Sequence, residues 1–132
     1  MAPVKEGAQA PKRGLRRVFR GVMAVAMVIV GVLHFVAPAG FVKIVPAWLP
    51  WPLGLVYVSG VFEILGGVGI MVPRTRRAAG LGLVALYVAV FPANLNMVLH
   101  AADFDIPLWA LWARLPFQVV FIAWALWVSK DD

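Results

Sequence analysis

The 132-residue sequence contains no cysteine. That absence excludes disulfide exchange, thiolate metal sites and covalent c-type haem in this chain, so any redox role has to borrow its electron carrier. Acid is scarce too: six Asp and Glu stand against twelve Lys and Arg, and the formal net charge is +6. His34 and His100 are the two histidines, on different stretches with no ligand motif around either, so no metal site is expected. Charged residues of both signs make up 14% of the chain, whereas 63% is hydrophobic and the mean hydropathy is +0.90. A soluble domain is about half apolar, so this is the composition of a membrane protein.

The few charges divide the chain. Uncharged stretches run from Arg20 to Lys43, from Lys43 to Arg74 with Glu63 inside, from Arg77 to Asp103, and from Asp105 to Lys130 with Arg114 inside. Each exceeds the roughly 18 to 20 residues that cross a hydrocarbon core as a helix. The expected fold class is all-α, an integral membrane four-helix transmembrane bundle with spans near residues 18–37, 53–72, 78–99 and 107–128. The bundle domain is then 18–128, preceded by a basic segment over 1–17 and followed by a tail over 129–132. Residues 1–11 are small, polar and proline-bearing, and disorder is expected there. Ala37-Pro38-Ala39 imitates a signal-peptide cleavage site, but the apolar run before it is long for such a signal, so the first span is read as a retained helix.

Lys12, Arg13, Arg16, Arg17 and Arg20 precede the first span, and Arg74, Arg76 and Arg77 fill the link between the second and third. By the positive-inside rule both termini and that link are cytoplasmic, and the other two links face outward from a bacterial inner membrane. The basic excess is absorbed by topology, which makes the lipid bilayer a partner and leaves nucleic acid out. Pro38, Pro46, Pro50 and Pro52 crowd the first outward link, a density that forbids a regular helix, and Trp48 and Trp51 suit the membrane interface. A short interfacial segment is expected there. Trp109 and Trp112 read as anchors on the same side, and Trp124 and Trp127 on the opposite side.

Glu63 is the only acid deep within a span and Arg114 the only base, so mutual neutralisation is the simplest arrangement and a contact between them, direct or through water, is expected. Gln118 lies one turn beyond Arg114 on the same face. Asn94 and Asn96 point in different directions, and Asn94 is placed in the cluster, with His34 closing it from the outer end of the first span. His100, Asp103 and Asp105 read as surface residues. The candidate ligand-binding set is therefore Glu63, Arg114, Gln118, Asn94 and His34. Two readings fit it: the groups satisfy one another and hold the helices in register, or they line an outward-opening pocket for the polar head of a lipophilic molecule.

Gly60 and Gly67 share a helical stripe with Glu63, and Gly66 falls on the adjoining one, so these glycines are expected to pack neighbouring helices closely. Pro92 cannot donate a backbone hydrogen bond, which frees the Val88 carbonyl and predicts a kink in the third span.

The segments GVLHFVAP, FVKIVPAWLP, SGVFEILGGVGIMVPRTRRAAGLGL and FPANLNM, in that order, resemble the DoxX family of small bacterial membrane proteins over about residues 20–100. The matching positions include His34, Pro38, Pro46, Gly60, Glu63, Gly66, Gly67, Arg77, Pro92 and Asn94. The resemblance implies a four-helix transmembrane bundle. Some members or relatives are associated with redox assemblies, in thiosulfate oxidation that delivers electrons to quinone or beside oxidative-stress enzymes. It carries no catalytic motif to this chain, and the missing cysteines weigh against direct sulfur chemistry. The implied role is an accessory subunit of a membrane redox system, with a quinone-like or other lipophilic ligand, a membrane or redox protein as partner, and homo-oligomers among the possible assemblies. Two alternatives come from other classes. One is an assembly protein that docks partner helices on its glycine-rich faces. The other is a small proton-coupled exporter, which the strong charge bias and the nearby arginine disfavour.

Overall fold

The computed structural model describes residues 5–132, with side chains from residue 12 onward. Among the described residues it is all-helical, with α1 at Lys5–Val36, α2 at Pro38–Ile44, α3 at Pro52–Met71, α4 at Arg76–Leu99 and α5 at Leu108–Val128. Four of these, α1 from Lys12 onward, α3, α4 and α5, are long and apolar enough to cross a membrane. A 3-10 turn at Ala101–Asp103 begins the link from α4 to α5.

Two segments differ from the sequence expectation. The first helix begins at Lys5, so the stretch expected to be disordered is helical from there, and residues 1–4 lie outside the described residues. Glu6, Ala8, Gln9, Ala10 and Lys12 are all good helix formers in continuity with a long helix, which outweighs the single Pro11. The proline-rich link also contains a two-turn helix, α2. Pro38 sits at its first turn, where the missing N–H costs nothing, and Pro46 falls just past its end.

Helix α3 packs along α1 and α4, and α4 packs along α5. Helix α1 meets α5 mainly near the basic end of the bundle, where the Phe19 and Trp124 rings stand edge to face at 5.8 Å and Trp124 donates to the Phe19 carbonyl at 3.1 Å. Trp124 and Trp127 are thus part-buried packing residues rather than projecting anchors. Trp48, Trp51, Trp109 and Trp112 are exposed, as expected of the opposite end.

Glycine sets the closest helix contact. A Cβ on Gly60 would stand 2.9 Å from the Gly31 carbonyl oxygen, and one on Gly67 would stand 2.9 Å from that of Ala24, so α1 and α3 approach backbone to backbone. Gly66 turns the other way, and its missing Cβ leaves room for the Leu83 side chain of α4.

The basic end is solid. Met23, Met27, Ile70, Leu83, Ala125 and Val128 form a buried cluster there. Arg20, 3% exposed, closes it from beneath by donating to the Val128 carbonyl at 2.8 Å, the Lys130 carbonyl at 2.8 Å and the Asp132 carboxylate at 3.2 Å. Arg76 does the same for α3, donating to the Ile70 carbonyl at 2.9 Å. Each guanidinium satisfies carbonyls that a helix C-terminus leaves free and complements its negative dipole end. The outward faces of the four long helices are covered by exposed Val, Leu, Ile and Phe.

Candidate functional site

The other end of the bundle is hollow. A cavity of about 980 Å³ lies among α1, α2, α3, α4 and α5, with α2 and the link that follows it along one edge and an open side where Phe62, Trp109 and Phe117 are exposed. Its wall is mostly apolar, with Phe41, Leu55, Val90 and Phe117 among its residues, and His34, Glu63, Asn94, Arg114 and Gln118 all line it. The hollow follows from helix packing. Glycines draw α1 and α3 together, α5 is held to α4, and no packed interface joins α3 to α5.

His34 is buried on the last turn of α1, with Nδ1 2.7 Å from the Val30 carbonyl oxygen one turn earlier. A carbonyl only accepts, so this contact makes Nδ1 the protonated ring nitrogen. The same Nδ1 stands 3.2 Å from Glu63 Oε2. Because the N–H points to the carbonyl, Oε2 is buried beside the imidazole without a hydrogen bond of its own. The Phe41 ring of α2 stacks on the imidazole at 3.8 Å and covers the pair.

A second polar group lies across the cavity. Asn94 donates its amide to Gln118 Oε1 at 2.6 Å, which ties α4 to α5. Gln118 in turn donates to the Tyr87 carbonyl. That carbonyl is the neighbour of Val88, whose own partner Pro92 removes, so the side chain of Gln118 binds the α4 backbone where its ladder is interrupted. The Tyr87 hydroxyl donates to Met27 Sδ at 3.2 Å.

The direct contact expected between Glu63 and Arg114 is not formed. Among the described residues the acid's neighbour is the His34 imidazole, and Arg114 makes no ion pair. The reason is the packing order: Glu63 lies on α3 and Arg114 on α5, and the cavity separates those helices. Asn96 is not part of the cavity wall, while His100 bonds its own helix through the Asn96 carbonyl at 3.1 Å and is exposed. Sequence reasoning missed Phe41, Tyr87 and Ser59 as wall residues. Only Tyr87 left a signal, since it precedes Asn94 by a heptad and so falls on the same helix face.

Among the described residues no group of three or more His, Asp or Glu side chains comes together to hold a metal ion. A shallower apolar groove of about 370 Å³ runs between α1 and α3 along Ala24, Val28, Gly67 and Val68, away from every polar side chain discussed above.

Fold and site together define a class: a helical protein with four helices of membrane-crossing length and apolarity, packed solid at one end and hollow, with a polar-lined cavity, at the other. The family described as a domain of unknown function (DUF8561) matches residues 23–129, and the chain belongs to that family. No characterised protein and no solved structure matches the chain.

Proposed function

We propose that this chain is an integral membrane protein that holds a lipophilic molecule by its polar head in the cavity around Glu63, and that it serves a membrane redox system as an accessory subunit. The observation that carries this reading is the cavity of about 980 Å³, which His34, Glu63, Asn94, Arg114 and Gln118, with Ser59 and Tyr87, line within a mostly apolar wall. Ligand sites have this character, and about 300–1,000 Å³ is their usual size. Packing alone does not need such a hollow, since a bundle of this length could close over paired polar groups.

The positive-inside rule orients the bundle in a bacterial inner membrane with the arginine-rich end in the cytoplasm and α2 at the outer face. The cavity then occupies the outward half, where a molecule could enter from the lipid or from outside. The resemblance to the DoxX family makes a quinone-like molecule the first ligand to test, with His34 and Glu63 on one wall and Asn94, Gln118 and Arg114 on the other to meet its oxygens.

The assembly alternative is weakened by the glycines. Gly60 and Gly67 are covered by α1 and Gly66 by α4, so the faces that would dock a partner helix are occupied from within the chain.

The test is a titration of a short-chain quinone into the full chain in detergent micelles, read by quenching of tryptophan, since Trp109 lines the cavity. Saturable quenching that weakens in Glu63→Gln is expected. Quenching that does not saturate, or that is the same in both proteins, would count against the reading.

A further inference from the structure

We infer that the cavity takes an amphiphile with an oxyanion head, a carboxylate or a phosphate, and that Arg114 receives it. This rests on the reading of the cavity as a ligand site and adds the chemical class of the ligand.

The donors and acceptors of the wall carry the step. Asn94 donates to Gln118 at 2.6 Å, Gln118 donates to the Tyr87 carbonyl, the Tyr87 hydroxyl donates to Met27 at 3.2 Å, and His34 Nδ1 faces the Val30 carbonyl at 2.7 Å. These groups have partners within the chain. Arg114 takes part in none of those bonds and, among the described residues, in no ion pair. The one acid in the wall, Glu63, lies beside His34 on the far side.

A guanidinium brings a positive charge and five N–H donors in a planar fork, the geometry that carboxylates and phosphates accept in pairs. Arg114 is exposed on the cavity wall, so its guanidinium is open to an incoming anion, and among the described residues this chain places none beside it. Phe117 follows Arg114 on α5 and Val90 faces in from α4, which offers apolar surface to a hydrocarbon chain attached to the head. A neutral quinone would leave the guanidinium with hydrogen bonds but no compensating charge. An acidic amphiphile supplies both.

The oxyanion has two sources, a free acid dissolved in the lipid or the head group of a phospholipid. A naturally fluorescent polyene fatty acid, bound to the full chain in neutral detergent, is displaced with oleate and with methyl oleate. Oleate should act at about tenfold lower concentration than its ester, the ratio a charge-assisted pair provides. Arg114→Gln should abolish that preference and Arg114→Lys retain part of it. In parallel, native mass spectrometry from nanodiscs of mixed phosphatidylcholine and phosphatidylglycerol reads the second source. Phosphatidylglycerol retained by the wild type and lost in Arg114→Gln assigns the oxyanion to a phospholipid.

Either pattern supports the inference. Equal displacement by acid and ester, with no phosphatidylglycerol retained, overturns it. If methyl oleate or a quinone still binds saturably in that case, the cavity reading survives. If no apolar probe binds at all, both fail.

Discussion

His34 Nδ1 stands 3.2 Å from Glu63 Oε2 while pointing its proton at the Val30 carbonyl 2.7 Å away. The acid of α3 therefore depends on a ring of α1 that is already committed elsewhere, and its buried oxygen has no hydrogen bond. Removing His34 would leave the part-buried carboxyl without the polar group that stands 3.2 Å from it. Losing one partner of such a pair costs more than replacing both. His34→Leu should destabilise the protein by about 2–3 kcal/mol, and adding Glu63→Leu should recover part of that loss. Thermal unfolding of both variants in the same detergent checks it, and a double variant less stable than the single one would contradict it.

Two glycines make a matched comparison. Alanine at Gly60 would bring a methyl within 2.8 Å of His34 Cβ and 2.9 Å of the Gly31 carbonyl oxygen, whereas alanine at Gly82 would meet nothing within 4 Å. Both substitutions favour the helix intrinsically by roughly 0.8–1 kcal/mol. Gly60→Ala should nonetheless lower the unfolding temperature, because overpacking costs about 1–3 kcal/mol. Gly82→Ala should leave it unchanged or raise it.

At the basic end the hydrogen bond from Arg20, opposed in part by burial and helped by the weaker hydrogen bond from Arg17, holds the Asp132 carboxyl down to about 2 from its ordinary 3.8. A carboxyl whose pKa is depressed by folding adds stability above its unfolded value and loses it as the pH falls towards the folded one. The stability difference between wild type and Asp132→Asn should therefore be constant above about pH 5, shrink as the pH falls below that and be gone only near about pH 1, below both values. Denaturation midpoints taken across that range read it directly, and a difference that grows on acidification would contradict the linkage.

Hydropathy made the four long helices legible because each is bounded by charge. Uncharged length identifies a helix whatever its neighbours are. The cavity wall was legible for a related reason: His34, Glu63, Asn94, Arg114 and Gln118 are polar groups in apolar stretches, and such groups turn inward. Which of them touch was not legible. The pairing of Glu63 with Arg114 assumed that opposite charges at similar depth would meet. Depth says nothing about which helices are neighbours, and the glycine contact of α1 with α3 placed His34 beside the acid instead. Phe41 was hidden for another reason, since proline density concealed the short helix that carries it over the imidazole.

The cavity as a ligand site is tested most directly by native mass spectrometry of the full chain after gentle extraction. Ala89 and Ala113 line the cavity from α4 and α5, so Ala89→Trp and Ala113→Trp would fill the space that a ligand occupies. The expected result is a lipophilic adduct on the wild-type protein that is lost or sharply reduced in both tryptophan variants. A wild-type spectrum carrying only the mass of the chain, or an adduct that survives both substitutions unchanged, would contradict the claim that the hollow end of this bundle holds a molecule.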